Sequence, residues 1–316
     1  MRPLTHKSRA NNQHETRTRI HEEEKRLQVL QVVISGISQG LIYGLIALGF
    51  VLIYKATETV NFAQGELMML GAFLGLTVVT FGLPYWVALP VAFVGMWVVG
   101  IVLERAVLRP ILGQPSFTVV MVTIGIGFVA RGLVTMIPGW GTDTHSLNAP
   151  FKGEVLRAGD LVIGMEHIVV IAATLMLSSA LFAFFRFTRV GVAMQAASQN
   201  QLAAYYMGIP VRRLNSLIWG ISAGVAALAG VLLAPITFVH VNMGFIGLKA
   251  FPAAVIGGFG SLPGALVGGV IIGVVESLSG VYLPEGFKDI AAYVLLLIVL
   301  VVKPTGIFGE TASKKV

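Results

Sequence analysis

Apolar runs long enough to cross a bilayer recur along this chain, each parted from the next by a short polar or glycine- and proline-bearing stretch. The runs are 27–54, 59–81, 84–104, 117–137, 167–185, 216–238, 265–282 and 287–302. One further apolar stretch, 242–260, is short and is broken by Gly247, Pro252, Gly257 and Gly258. Interrupted segments of this kind mark either discontinuous helices beside a pathway or close helix packing by small residues. Gly36, Gly40 and Gly44 recur every fourth residue in the first run, which strips one helix face for close contact with a neighbour. In 138–165 the pattern is turn-like, and LRAGDLVIG predicts a hairpin with Ala158–Gly159 in its turn. The pattern predicts an all-α polytopic membrane protein with about eight transmembrane helices plus short discontinuous or re-entrant ones.

The longest polar interruption between the spans is 187–215. Val192 to Met207 inside it is rich in Ala and Gln, good helix formers, with Gly191 before and Gly208 and Pro210 after. One short helix is therefore expected there, gripped by a span at each end. Arg186, Arg189, Arg212 and Arg213 stand at its rims and place it on the cytoplasmic side. Such a helix can pass movement from a soluble partner into the membrane; the plainer reading is a solvated loop. Residues 1–26 carry no apolar period and read as a disordered polar tail, 27–309 as the membrane domain, and 310–316 as a cytoplasmic C-terminal tail.

Composition narrows the chemistry. Charged residues make up 12% of the chain, about half the soluble norm of roughly 25%. The formal charge is +7, and outside the tail it gathers at membrane rims, which reads as topology and contact with membrane lipid and not as nucleic-acid binding. Cysteine is absent, which excludes disulfides, thiolate metal sites and cysteine nucleophiles. His6, His14 and His21 lack a scaffold for a metal, and no metal ligand or catalytic residue is nominated. No GxxxxGK[ST] run occurs, so the chain has no P-loop of its own.

Polar residues at the mouths of apolar helices are the candidate chemistry. Asn61, Gln64 and Glu66 open the second run, where they either cap the helix or line a path. Asn242, Gly247 and Phe251 hold the matching place in the later half. Arg131 lies inside a span, either snorkelling outward or paired within the membrane. Lys249 and Glu276 read as rim residues. A small-residue helix followed by an Asn-opened, glycine-interrupted one occurs at 36–75 and at 220–260, which allows an inverted repeat. Counting spans from the cytoplasmic loop puts residues 1–26 outside, against the preference of their basic residues for the inside; a break within Leu27–Tyr54 would remove that conflict.

Three stretches carry a resemblance: ALGFVLIYKATETVNFAQGELMMLGA, FTRVGVAMQAASQNQLAAYYMGIPV, and GLKAFPAAVIGGFGSLPGALVGG with KPTGIFG. They resemble, in order and over about residues 30–309, the smaller permease subunit of bacterial high-affinity branched-chain amino-acid ABC importers. The resemblance implies a multi-pass inner-membrane protein that provides half of a translocation pathway and is not an enzyme. It implies as partners a second permease subunit, two ABC ATPase subunits that bind the ATP, and a periplasmic solute-binding protein that delivers the amino-acid substrate. It implies no cofactor on this chain. The docking element of the family falls on Thr188–Pro210; within it Arg189, Gly191, Gln199 and Gly208, and just beyond it the rim arginines Arg212 and Arg213, are the docking candidates. Three places in the docking stretch depart from the family pattern: Val192, Gln195 and Asn200 stand where charges are usual, so packing and neutral hydrogen bonds must carry more of the contact. Gln64 replaces a histidine in NFAHGE, so that position can only hydrogen-bond. Relatives of this family also import urea, amides and small acids. A stand-alone secondary transporter would need more ionisable residues in mid-span, and an intramembrane enzyme would need a clustered catalytic set.

Overall fold

The computed structural model describes residues 5–309 except 112 and 160, and side chains from residue 22 onward except those of 24, 112, 158 and 160. The chain forms eleven α-helices and one hairpin in those residues. They are α1 (Thr5–Thr57), α2 (Gln64–Thr80), α3 (Tyr85–Leu103), α4 (Ser116–Met136), β1 (Val155–Ala158), β2 (Leu161–Gly164) and α5 (Met165–Phe187), followed by α6 (Arg189–Gln199), α7 (Gln201–Tyr206), α8 (Val211–Thr237), α9 (Ile246–Gly257), α10 (Leu262–Tyr282) and α11 (Phe287–Val302). Six helices are long and apolar enough to cross a membrane: α1 from Lys25, α3 with the turns after it, α4, α5, α8 and α10. Helices α2, α9 and α11 are shorter, with 17, 12 and 16 residues. The hairpin forms, but Ala158 is the last residue of β1 and pairs with Leu161, so the turn lies one residue beyond the expected Ala158–Gly159.

Two expectations change here. The stretch expected to be a disordered tail is helical from Thr5, continuous with the first span. Its Glu, Lys, Arg and Gln are good helix formers, and extending an anchored helix avoids the nucleation cost. Residues 1–4 and the C-terminal tail 310–316 lie outside the described residues. No break interrupts 27–54 either. Gln31 Nε2 donates to the Val162 carbonyl of the hairpin at 3.2 Å, while Gln201 Nε2 reaches the Ala56 carbonyl near the other end of α1. So α1 runs from the hairpin face to the face of the arginine-rimmed loop, and its start lies on the side opposite to that loop.

Helices α1 and α8 form the core, both almost wholly buried along their apolar lengths. They run in opposite senses: α8 leaves the arginine-rimmed face and ends where Val239 bridges His145 of the outer loop. Each leads into a short helix of opposite direction. Helix α2 runs outward, with Thr77 accepting from Trp140 Nε1 at 2.8 Å. Helix α9 runs inward, its last carbonyls receiving the N–H groups of Ile307 (2.7 Å) and Phe308 (3.2 Å). The C-terminal KPTGIFG stretch thus closes a helix end that otherwise leaves carbonyls unpaired. The bare face of α1 packs on α10, as the glycine spacing predicts. A Cβ added at Gly40 would stand 2.6 Å from the Gly269 carbonyl oxygen. Large apolar side chains on α3, α4 and α11, among them Val98, Phe128, Leu297 and Val301, point outward as a lipid-facing coat.

Candidate functional site: helix starts at mid-depth and an arginine-rimmed helix pair

After Thr57 the chain turns back into the protein through Glu58, whose φ of +52° is rare for a side chain other than glycine. Residues 61–64 then lie beside Ser222 of α8 and Gly49 of α1. Ser222 is eleven residues past Val211, which puts this point about 16 Å inward along the helix, near the middle of a hydrocarbon core of about 30 Å. Asn61 Nδ2 donates to Gln64 Oε1 at 3.1 Å, and Asn61 Oδ1 accepts from the Ala63 N–H at 3.1 Å. Gln64 Nε2 donates to the Ser222 carbonyl at 3.3 Å, and Ser222 Oγ to the Gly49 carbonyl at 3.0 Å. Both Asn61 and Gln64 are fully buried. These bonds give both residues a structural role: they fold the start of α2. We expect Gln64→Leu to strand the Asn61 amide and lower stability by about 1–3 kcal/mol, read as a lower melting temperature of the purified protein.

Two residues further on, Glu66 behaves differently. Its carboxylate takes a hydrogen bond and ion pair from Arg131 Nη2 at 2.6 Å. Arg131 therefore does not snorkel outward; the alternative of an intramembrane partner is the one observed. The guanidinium also lies 3.9 Å from the centre of the Phe245 ring. Glycines make the room: a Cβ at Gly127 of α4 would be 3.3 Å from Glu66 Cδ, and one at Gly244 3.0 Å from Glu66 Oε1. Glu66 sits in the first turn of α2 and beside the turn that leads into α9, where two helix starts favour a negative charge. The side chains are 12% exposed for Glu66 and 19% for Arg131. Asn242 is exposed next to them, whereas Gly247 is buried against Gly65 where α9 and α2 cross. Phe251 is half-buried in a ring cluster with Phe50, Phe62 and Phe259.

A second ionic group is one that the sequence does not single out. Lys249 Nζ donates to Glu276 Oε1 at 2.8 Å and to Asp289 Oδ1 at 2.9 Å. Tyr43 Oη donates to Glu276 Oε2 at 2.7 Å and accepts from Gln39 Nε2 at 2.7 Å. Glu276 is 1% exposed, so it is an interior residue and not a rim residue. This network ties α9 to α1, α10 and α11. Its only signal in the sequence is a pair of opposite charges within apolar runs.

In the arginine-rimmed loop the expected single helix is two. Helix α6 stops at Gln199; Asn200 leaves the helical region and its Oδ1 accepts from Ala203 N–H at 2.9 Å, capping α7. Thr188 caps α6 in the same way through Gly191 N–H at 3.0 Å. Gly191 is buried against the Phe184–Phe185 backbone, so it seats α6 on α5 and touches nothing outside. Arg189, Gln199, Gly208, Arg212 and Arg213 are exposed, and Gly208 takes φ +80° where α7 ends. Beside them stands an apolar rim that no sequence motif announces. Leu202, Tyr205, Tyr206 and Met207 present their side chains outward, from 63% exposed at Leu202 to 82% at Met207.

A polytopic helical bundle with short helices meeting at mid-depth, and a helix pair slung beneath two spans, has the organisation of a membrane permease. The chain belongs to the family described as the branched-chain amino acid transport system permease component, whose pattern matches residues 32–302. It is 32% identical over 308 residues to the high-affinity branched-chain amino acid transport system permease protein LivH of Salmonella typhimurium, covering 93% of this chain and 99% of that protein. It is 33% identical over 309 residues to LivH of Escherichia coli K12, with 93% and 99% covered. The permease protein BraD of Pseudomonas aeruginosa is 30% identical over 313 residues, with 91% and 98% covered.

Proposed function

We propose that this chain is a permease subunit of an ATP-driven importer for branched-chain amino acids in the bacterial inner membrane. It provides half of the pathway, and a second permease subunit provides the other half. Two separate ATPase subunits grip the cytoplasmic face and bind the ATP. A periplasmic binding protein delivers leucine, isoleucine or valine to the outer face. The observation that carries this reading is the α6–α7 pair. It hangs between α5 and α8, and its exposed rim of Leu202, Tyr205, Tyr206 and Met207 has aromatic anchors of the kind that dominate protein interfaces. Arg189, Arg212 and Arg213, exposed at the two ends of the loop, suit acidic groups on a partner. Closure of the ATPases moves the pair, and α5 and α8 carry the movement to the mid-depth site. That coupling requires the partner to hold the pair differently in two states.

Co-purification from native membranes tests the docking. Tyr206→Asp with Met207→Asp puts two charges into the contact and is expected to lower recovery of ATPase subunits by about tenfold or more, with the permease itself still folded. Unchanged recovery of active ATPase subunits would remove α7 as the docking element.

A further inference from the structure

Resting on the reading above, we propose that Glu66 and Arg131 form the subsite that holds the charged head of the amino acid in transit. Glu66 takes the α-ammonium group and Arg131 the α-carboxylate. Phe245 and Leu248 lie along the apolar side chain.

The place that the pair faces is the first support. Arg131 is fifteen residues into α4, about 22 Å along it, and its partner Glu66 opens a helix that begins at mid-depth. Both charges are partly exposed there. Ionisable groups at such a depth are expensive against hydrocarbon, face a cavity or another protein, and mark pathways. The neighbouring surface agrees. Asn242 is exposed and polar, and Phe245 and Leu248 are exposed at 50% and 40%. On this proposal this side of α4 and α9 lines the pathway.

Unused bonding capacity is the second support. A guanidinium has five N–H donors and a carboxylate two acceptor oxygens. Here one bond, Nη2 to Oε1, joins them. Among the described residues Arg131 Nε has no partner, and none bonds Glu66 Oε2. A buried donor left open is costly unless something meets it. An α-amino acid carries a cation and an anion on one carbon, which is the mirror of this pair. The empty site neutralises itself, and the loaded site adds a molecule of zero net charge, so neither state leaves a bare charge in the membrane. A solute with net charge breaks that balance and is disfavoured.

The test uses the complete importer in lipid vesicles with leucine-loaded binding protein, reading leucine imported per ATP hydrolysed and the amount of complex assembled. Arg131→Gln and Glu66→Gln are each expected to lower leucine per ATP by about tenfold or more, the size of a lost charge-assisted contact, in complexes that still assemble. Arg131→Lys keeps the charge and is expected to restore most of the loss. Unchanged leucine per ATP in Arg131→Gln overturns the subsite. So does a parallel fall of assembly and import with leucine per ATP constant, because that marks a purely structural pair. A wild-type chain that recruits no ATPase overturns the importer reading itself, an outcome distinct from these.

Discussion

Lys249→Met is expected to destabilise the protein more than any other single loss of charge in the described residues. It leaves the Glu276 carboxylate interior and without its cation, with only Tyr43 Oη still bonded to it. Removing one member of a buried pair costs about 3–5 kcal/mol, because the other charge stays desolvated. Asp289 loses the same partner but is solvent-accessible, so its share is small. The double variant Lys249→Met with Glu276→Gln is expected to recover most of the loss. The amide it introduces is neutral, and its oxygen can still accept from Tyr43. Thermal unfolding of the purified protein in detergent reads both. A single variant that melts with the wild type would show that the network contributes nothing.

Gly40→Leu has the second large expected effect. The contact of α1 with α10 depends on backbones that nearly touch: the Cβ position of Gly40 lies 2.6 Å from the Gly269 carbonyl and 2.8 Å from the Val270 Cα. The neighbours are main-chain atoms, which cannot rotate aside. Overpacking usually costs about 1–3 kcal/mol, and a clash with backbone belongs at or beyond the top of that range. Helix α1 also packs on α8, so moving it disturbs the centre of the bundle. The expected result is loss of monodisperse protein on size-exclusion chromatography. Gly132→Leu is the control, since nothing lies within 4 Å of its Cβ position, and it is expected to behave as wild type. Equal behaviour of the two variants would show that the glycine face of α1 is not a packing face.

Those two sites show what a sequence can and cannot say. The four-residue spacing of Gly36, Gly40 and Gly44 specifies a bare helix face, and the helix period alone makes that legible. Which helix fills the face depends on register between segments over two hundred residues apart, which no local period encodes. The same holds for charge. Arg131 stands out as an oddity in an apolar run, and Glu66 as a residue at a helix mouth, but their meeting depends on how α4 leans across the start of α2. Lys249 and Glu276 look like rim residues because a charge within a short apolar run is expected to reach for the membrane surface; packing of α1, α10 and α11 buries their meeting point. The helix pair between α5 and α8 is legible in place from the polar run and its arginines. Its division into two helices has one local cue, Asn200, a good cap residue, which an Ala- and Gln-rich run masks. The apolar rim of α7 is hidden because Leu, Tyr and Met on a helix look like core until the neighbours are known. The helical start of α1 is hidden for a related reason: a polar stretch without an apolar period resembles a disordered one, although its residues are good helix formers next to an anchored span.

The central claim is that this chain moves branched-chain amino acid only when separate ATPase subunits work on its cytoplasmic face. Radiolabelled leucine uptake into vesicles tests it most directly, with this chain, its co-purifying subunits and leucine-loaded binding protein, with and without ATP on the cytoplasmic side. Accumulation with ATP and none without it is the predicted result, with loss of accumulation when Tyr206→Asp with Met207→Asp is present. Leucine movement by this chain alone, without ATP or partners, would contradict the claim and make the protein a self-sufficient carrier.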